Sequence, residues 1–120
     1  MSEEIELSPQ VKEQLMRLQQ LQQTLQAVIT QRQQLEIELS ETERATSELE
    51  KISGETPVYK TIGSILIKTD RQVLLNELKE RKELLSTRVT VLSKQEERTR
   101  ERMKELQSKL QERLRQEQVK

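Results

Sequence analysis

Apolar side chains recur every seven residues along most of this chain, and the recurrence is interrupted once, near its middle. Val11, Leu18, Leu25, Arg32, Leu39 and Thr46 fall at position a of a heptad, and Gln14, Leu21, Val28, Leu35, Thr42 and Leu49 at position d. Leu15 and Ile29 widen the stripe at e. A mostly apolar seam sustained over roughly six heptads predicts a long coiled-coil helix. Ser8-Pro9 supplies its start, with serine as N-cap and proline at the first helical position, where its missing N–H is not needed. Ser53-Gly54 and then Pro57 supply its end, with Gly54 expected at the left-handed C′ position. The first helix is thus expected over residues 9–53, after a short acidic tail over 1–8.

A second seven-residue register follows the interruption. Leu75, Lys82, Val89, Glu96, Met103, Leu110 and Glu117 take position a, and Leu78, Leu85, Leu92, Thr99, Leu106 and Arg113 take position d. Thr69-x-x-Gln72 reads as a capping box at its start, with Asp70 placed to complement the helix dipole. This helix is expected over 70–118. At ~1.5 Å per residue each helix would be about 65–75 Å long. Two helices of matched length joined by a short insertion should fold back as an antiparallel coiled coil. Setting Leu49 against Leu75 brings Leu39 to Leu85, Leu35 to Val89, Leu21 to Met103 and Leu18 to Leu106. The weak layers also match: Thr42 faces Lys82, and Arg32 and Glu96 lie about a turn apart. The latter two could pair in the seam, but both side chains are expected to snorkel to water.

The interruption itself spans 54–69 and carries the β-prone residues. Val58–Ile62 and Ile65–Thr69 are two short runs separated by Gly63-Ser64, the signal for a two-residue type II′ hairpin in which glycine takes the positive φ. Ile62 then lies opposite Ile65, Lys60 opposite Ile67 and Tyr59 opposite Lys68. One face carries Val58, Ile62, Ile65 and Ile67; the other carries Tyr59 and Leu66. A lone two-stranded hairpin is marginal in water, and an open apolar edge is a template for pairing. Other chains should therefore complete it. Val58, Tyr59, Ile62, Gly63, Ile65, Leu66 and Ile67 are the expected oligomerisation residues.

Composition narrows the chemistry. The 120 residues are 32% hydrophobic, 35% charged and 1% aromatic, which fits a coiled coil and not a globular core. Lys+Arg and Asp+Glu balance at 21 each, so no net field favours nucleic acid or an acidic membrane. Cys and His are both lacking, which excludes disulfides, most metal sites and most nucleophile–base pairs. No glycine-rich phosphate loop is present, and no cofactor is expected. Carboxylate pairs such as Glu3-Glu4 and Glu96-Glu97 have no pocket that would shift a pKa, so no catalytic residue is expected and the chain is not read as an enzyme. Arg98, Arg100 and Arg102 interleave with Glu96, Glu97, Glu101 and Glu105 and read as a solvated helix face. The acidic start, MSEEIELSP, has no apolar core like that of a signal peptide, and no run approaches the ~20 apolar residues of a membrane span. A soluble, cytoplasmic protein is expected.

A single hairpin, VYKTIGSILIKT, set between the two helices of one coiled coil resembles the beta-type subunits of the prefoldin family of ATP-independent chaperones, in their archaeal form. Alpha-type subunits of that family carry two hairpins. The resemblance implies a mainly α fold in which one domain, 1–120, oligomerises through a β-barrel body. The implied partners are an alpha-type subunit and further copies of the chain, in a hexamer of two alpha and four beta subunits. Unfolded proteins are the implied clients, held at the coiled-coil ends and passed to a group II chaperonin.

Antiparallel pairing places both termini at the open end of the coil. Ile5, Leu7, Val11, Leu15 and Leu18 from the first helix and Met103, Leu106, Leu110, Leu114 and Val119 from the second are the candidate client-binding residues. Val11, Leu18, Leu106 and Leu110 also serve to close the seam, whereas Ile5, Leu7, Leu15, Leu114 and Val119 are expected to be the more exposed. Exposed apolar side chains on helix ends suit weak, adaptable binding. Two other classes compete with a chaperone subunit. One is a structural scaffold or tether dimerising through the hairpin, which predicts a dimer mass in place of a hexamer. The other is a nucleic-acid-binding helical arm, disfavoured by the charge balance and the absence of stacking aromatics.

Overall fold

The computed structural model describes residues 7–118. In order, the elements are α1 (Pro9–Lys51), β1 (Val58–Ile62), β2 (Ile65–Thr69) and α2 (Arg71–Gln118). The fold is two long helices with a two-stranded antiparallel hairpin between them.

Local chemistry explains each boundary. Ser8 caps α1: its Oγ accepts from the Val11 amide at 3.2 Å and its carbonyl from the Lys12 amide at 3.0 Å. At the other end, α1 stops at Lys51, ahead of the expected Ser53. Gly54 does not adopt the left-handed C′ conformation, because Gly63 alone among the described residues has a positive φ. The chain turns instead on Ser53, whose Oγ accepts from the Glu55 amide at 3.3 Å and whose carbonyl accepts from the Thr56 amide at 3.0 Å. Serine satisfies these donors locally, so the glycine is not required to.

The cap of α2 also differs from the expectation of Thr69. Asp70 fills that place, with Oδ2 accepting from the Val73 amide at 3.2 Å and its carbonyl from the Leu74 amide at 3.0 Å. Thr69 is held extended as the last residue of β2, paired with Val58, and the next residue with a short acceptor takes the cap.

The described residues divide into two compact units, one over Arg32–Val91 and the other over 7–31 with 92–118. In the first, Leu49, Val58 and Leu75 form a buried cluster against which Ile52, Leu74 and Leu78 pack. The Leu49–Leu75 layer is the one the heptads specify, and an Arg81–Glu38 ion pair at 3.2 Å follows the same antiparallel sense. Leu85 is fully buried. Thr42 is also buried, its hydroxyl donating to the Glu38 carbonyl at 2.8 Å, which removes the cost of an unpaired polar group. Lys82 is exposed although it occupies an a position. Its long stem carries the ammonium to water.

In the second unit Val11, Val28 and Leu110 are buried, while Leu18, Leu21, Leu25, Leu92, Met103 and Leu106 are half-buried. Thr99 repeats the device of Thr42, donating to the Gln95 carbonyl at 2.8 Å. Arg113 donates to Gln10 Oε1 across the two helices.

Arg32 and Glu96 do not extend into water. Their side chains are 22% and 19% exposed, in the first and second unit respectively. Each has a charge partner one turn along its own helix: Arg32 donates to both Glu36 oxygens at 3.1 Å, and Glu96 pairs with Arg100 at 3.6 Å. Each charge thus has an opposite charge beside it at the i,i+4 spacing of its own helix.

Candidate functional site

The hairpin has the register Val58↔Thr69, Tyr59↔Lys68, Lys60↔Ile67, Thr61↔Leu66 and Ile62↔Ile65. Gly63 takes φ +60° at the first turn position, as a type II′ turn demands. Alternation along the strands separates two faces. Val58 is buried at the root of one face, and beyond it Ile62, Ile65 and Ile67 are exposed. Tyr59 and Leu66 are exposed on the other, Leu66 to 71%. Five large apolar or aromatic side chains within nine residues are therefore open to solvent, on both faces of one small sheet. Among the described residues the sheet has two strands, so both have an open edge. A polar link ties the sheet to the helices: Lys60 Nζ lies 3.3 Å from Glu77 Oε2 on α2.

Beneath the hairpin root lies a cavity of about 370 Å³ lined by Leu49, Ile52, Val58, Leu74 and Leu78, with Glu48 and Lys60 among its polar lining. At the base of the hairpin Arg71 donates from Nε to the Leu49 carbonyl at 3.1 Å and from Nη2 to the Glu50 carbonyl at 3.3 Å. No sequence signal marks Arg71 for this role, because its partners lie more than twenty residues away and are backbone atoms.

The candidate residues at the helix ends divide differently from the expectation. Ile5 and Val119 lie outside the described residues. Val11 and Leu110 are buried in the seam, and Leu18, Met103 and Leu106 are half-buried. Leu7, Leu15 and Leu114, expected to be exposed, are half-buried as well. Leu15, at position e, flanks the seam, and so is partly covered. Among the described residues of this unit, the large apolar side chain left exposed is Met16, at 62%. It occupies heptad position f, opposite the seam, and that placement was the available signal. Leu21 and Leu106 share a groove of about 370 Å³ with Arg17, Thr24, Arg102 and Lys109. No group of acidic side chains that could hold a metal occurs among the described residues.

Two capped helices around an open-edged, apolar hairpin define a class of protein that presents apolar binding surfaces to other chains. Comparison with known proteins gives the family. A family model described as "Prefoldin subunit" matches residues 12–117. The chain is 53% identical over 106 residues to a prefoldin subunit beta of Archaeoglobus fulgidus, covering 88% of this chain and 91% of that protein. It is 43% identical over 109 residues to the prefoldin subunit beta of Thermococcus onnurineus, covering 91% of this chain and 94% of the relative. The crystal structure of the prefoldin beta subunit from Thermococcus strain KS-1 superposes with a TM-score of 0.83 at 38% identity, covering 92% of this chain and 96% of that one. This chain belongs to the prefoldin subunit family.

Proposed function

We propose that this chain is a beta-type subunit of an ATP-independent chaperone, which assembles through its hairpin with an alpha-type subunit and further copies of itself. The proposed assembly is a hexamer of two alpha and four beta subunits in the cytoplasm, and it binds unfolded proteins without a catalytic step. The observation that carries this reading is the open-edged hairpin of a chain in this family, with exposed apolar side chains on both faces. Among the described residues no helix is long and apolar enough to cross a membrane.

Client capture is assigned to the helix ends, where Leu7, Leu15, Leu18, Met103, Leu106 and Leu114 are partly accessible and Met16 is exposed. Burying one Leu or Ile side chain contributes roughly 1.5–3 kcal/mol, so a single subunit would bind weakly. Several ends acting on one unfolded chain multiply that affinity through effective concentration. Hand-off to a group II chaperonin completes the proposed cycle.

The test mixes the chain with an archaeal alpha-type subunit, measures the assembly mass, and then measures suppression of aggregation of a chemically unfolded test protein. Hexamer mass and suppression by the intact complex are expected. Removing residues 1–7 and 115–120 should abolish suppression and keep the mass. A dimer of this chain that ignores the alpha-type subunit would favour a scaffold. Undiminished suppression by the trimmed hexamer would move the client site away from the helix ends.

A further inference from the structure

The last carbonyls of a helix have no donor within the helix. In α1 two of them are satisfied from across the insertion. The Arg71 guanidinium donates from Nε to the Leu49 oxygen at 3.1 Å and from Nη2 to the Glu50 oxygen at 3.3 Å. Arg71 is the first residue of α2 and follows the Asp70 cap directly. A single side chain therefore closes the excursion from Ile52 to Asp70 at its base. Arginine suits this position because its planar fork presents two donors in fixed geometry, and a cation at a helix C-terminus meets the negative end of the dipole.

Leu49 is held twice. Its carbonyl accepts from Arg71, and its side chain packs with Val58 and Leu75 at the hairpin root. Beyond Val58 the hairpin has little else to orient it. No other strand residue is buried, and the Lys60–Glu77 pair is partly exposed on both sides, a setting in which ion pairs contribute little. The direction in which the hairpin projects is therefore set at its root.

We propose that Arg71 is a positioning residue for assembly: its fork locks the end of α1 to the start of α2, so that the hairpin is already ordered when a neighbouring subunit meets it. This inference rests on the reading of the hairpin as the assembly surface. A surface ordered in advance avoids the ordering cost on association, so the effect falls on the association rate.

The experiment compares Arg71→Met, which keeps the apolar stem, with Arg71→Lys, which keeps the charge and loses the fork. Amide hydrogen exchange is measured first on the chain alone. Protection of residues 58–69 should fall about tenfold in Arg71→Met, the scale of losing charge-assisted hydrogen bonds, with partial rescue in Arg71→Lys. Amides of 12–28 should not change. Stopped-flow mixing with the alpha-type subunit should then show a several-fold slower association with unchanged final mass. Unchanged hairpin protection overturns the proposal, as does a uniform loss of protection along both helices, which marks a merely structural cap. Unchanged association despite lost protection overturns it also. A wild-type chain that never assembles with the alpha-type subunit would instead defeat the functional reading, and the exchange measurement would still decide whether the clamp orders the hairpin.

Discussion

Ile62 and Ile65 are direct partners across the Gly63-Ser64 turn, and both side chains remain about half exposed. Two isoleucines facing each other at a hairpin end stabilise the pair only partly while water reaches them. Replacing Ile65 with Lys should therefore cost the isolated chain little, since no buried contact is lost. It should block assembly, because a charge would enter an apolar contact between chains. Helical circular dichroism and native mass check both halves. An unchanged assembly mass would remove the hairpin from the interface.

The two glycines should respond in opposite ways. A Cβ at either would meet nothing within 4 Å, so backbone conformation decides the outcome. Gly63→Val places a β-branched residue at φ +60°, with an expected cost of about 1–3 kcal/mol confined to the hairpin. Gly54→Ala should be neutral or stabilise by up to about 1 kcal/mol, because Gly54 is outside the left-handed region and alanine restricts the unfolded chain. Guanidinium unfolding of each variant decides it; a Gly54→Ala loss as large as that of Gly63→Val would contradict this account.

Asp70 and Thr69 offer a similar contrast. Asp70→Ala removes the acceptor of the Val73 amide and should destabilise by about 0.5–2 kcal/mol. Thr69→Ala should cost distinctly less, since Thr69 contributes through the strand and not as a cap. Thermal melts of the two variants, compared side by side, check the ranking.

Gln14 occupies a d position, and its Oε1 is enclosed without a hydrogen-bond partner among the described residues. A buried unsatisfied acceptor costs about 1–3 kcal/mol. Gln14→Leu should therefore raise the unfolding midpoint in guanidinium. A lowered midpoint would show that the amide makes a contact the leucine cannot replace.

Met16 is exposed on the f face of α1, in the same unit as the candidate helix-end residues. Met16→Ser should leave helicity and melting nearly unchanged, as surface substitutions commonly do within about 0.5 kcal/mol. It should measurably weaken aggregation suppression by the assembled complex. Leu15→Ser and Leu114→Ser should weaken suppression too, but with a loss of stability, because both residues are half-buried. Equal suppression by Met16→Ser and wild type would exclude Met16 from client contact.

Features settled by neighbours within a few residues could be read from the sequence alone. The heptads placed both helices and put Val11, Val28, Leu49, Leu75, Leu85 and Leu110 inside, because a seven-residue repeat keeps one stripe of a helix facing its partner. Ser8-Pro9 specified the start of α1, and Gly63 specified the turn and with it the strand register, since a one-residue slip would exchange the faces. Tertiary structure decided what depends on distant partners. Thr69 lost the cap of α2 to Asp70 because the ladder to Val58 holds it extended. Arg71 gained two carbonyl partners twenty-two and twenty-one residues away, which only the return of the chain brings within reach. Lys82 escaped its a position to water, and Leu15 and Leu114 were half-covered, because a side chain's exposure depends on what its neighbours leave open. Periodicity determines which face of a helix is apolar; the packing of the second helix determines how much of each side chain that face conceals.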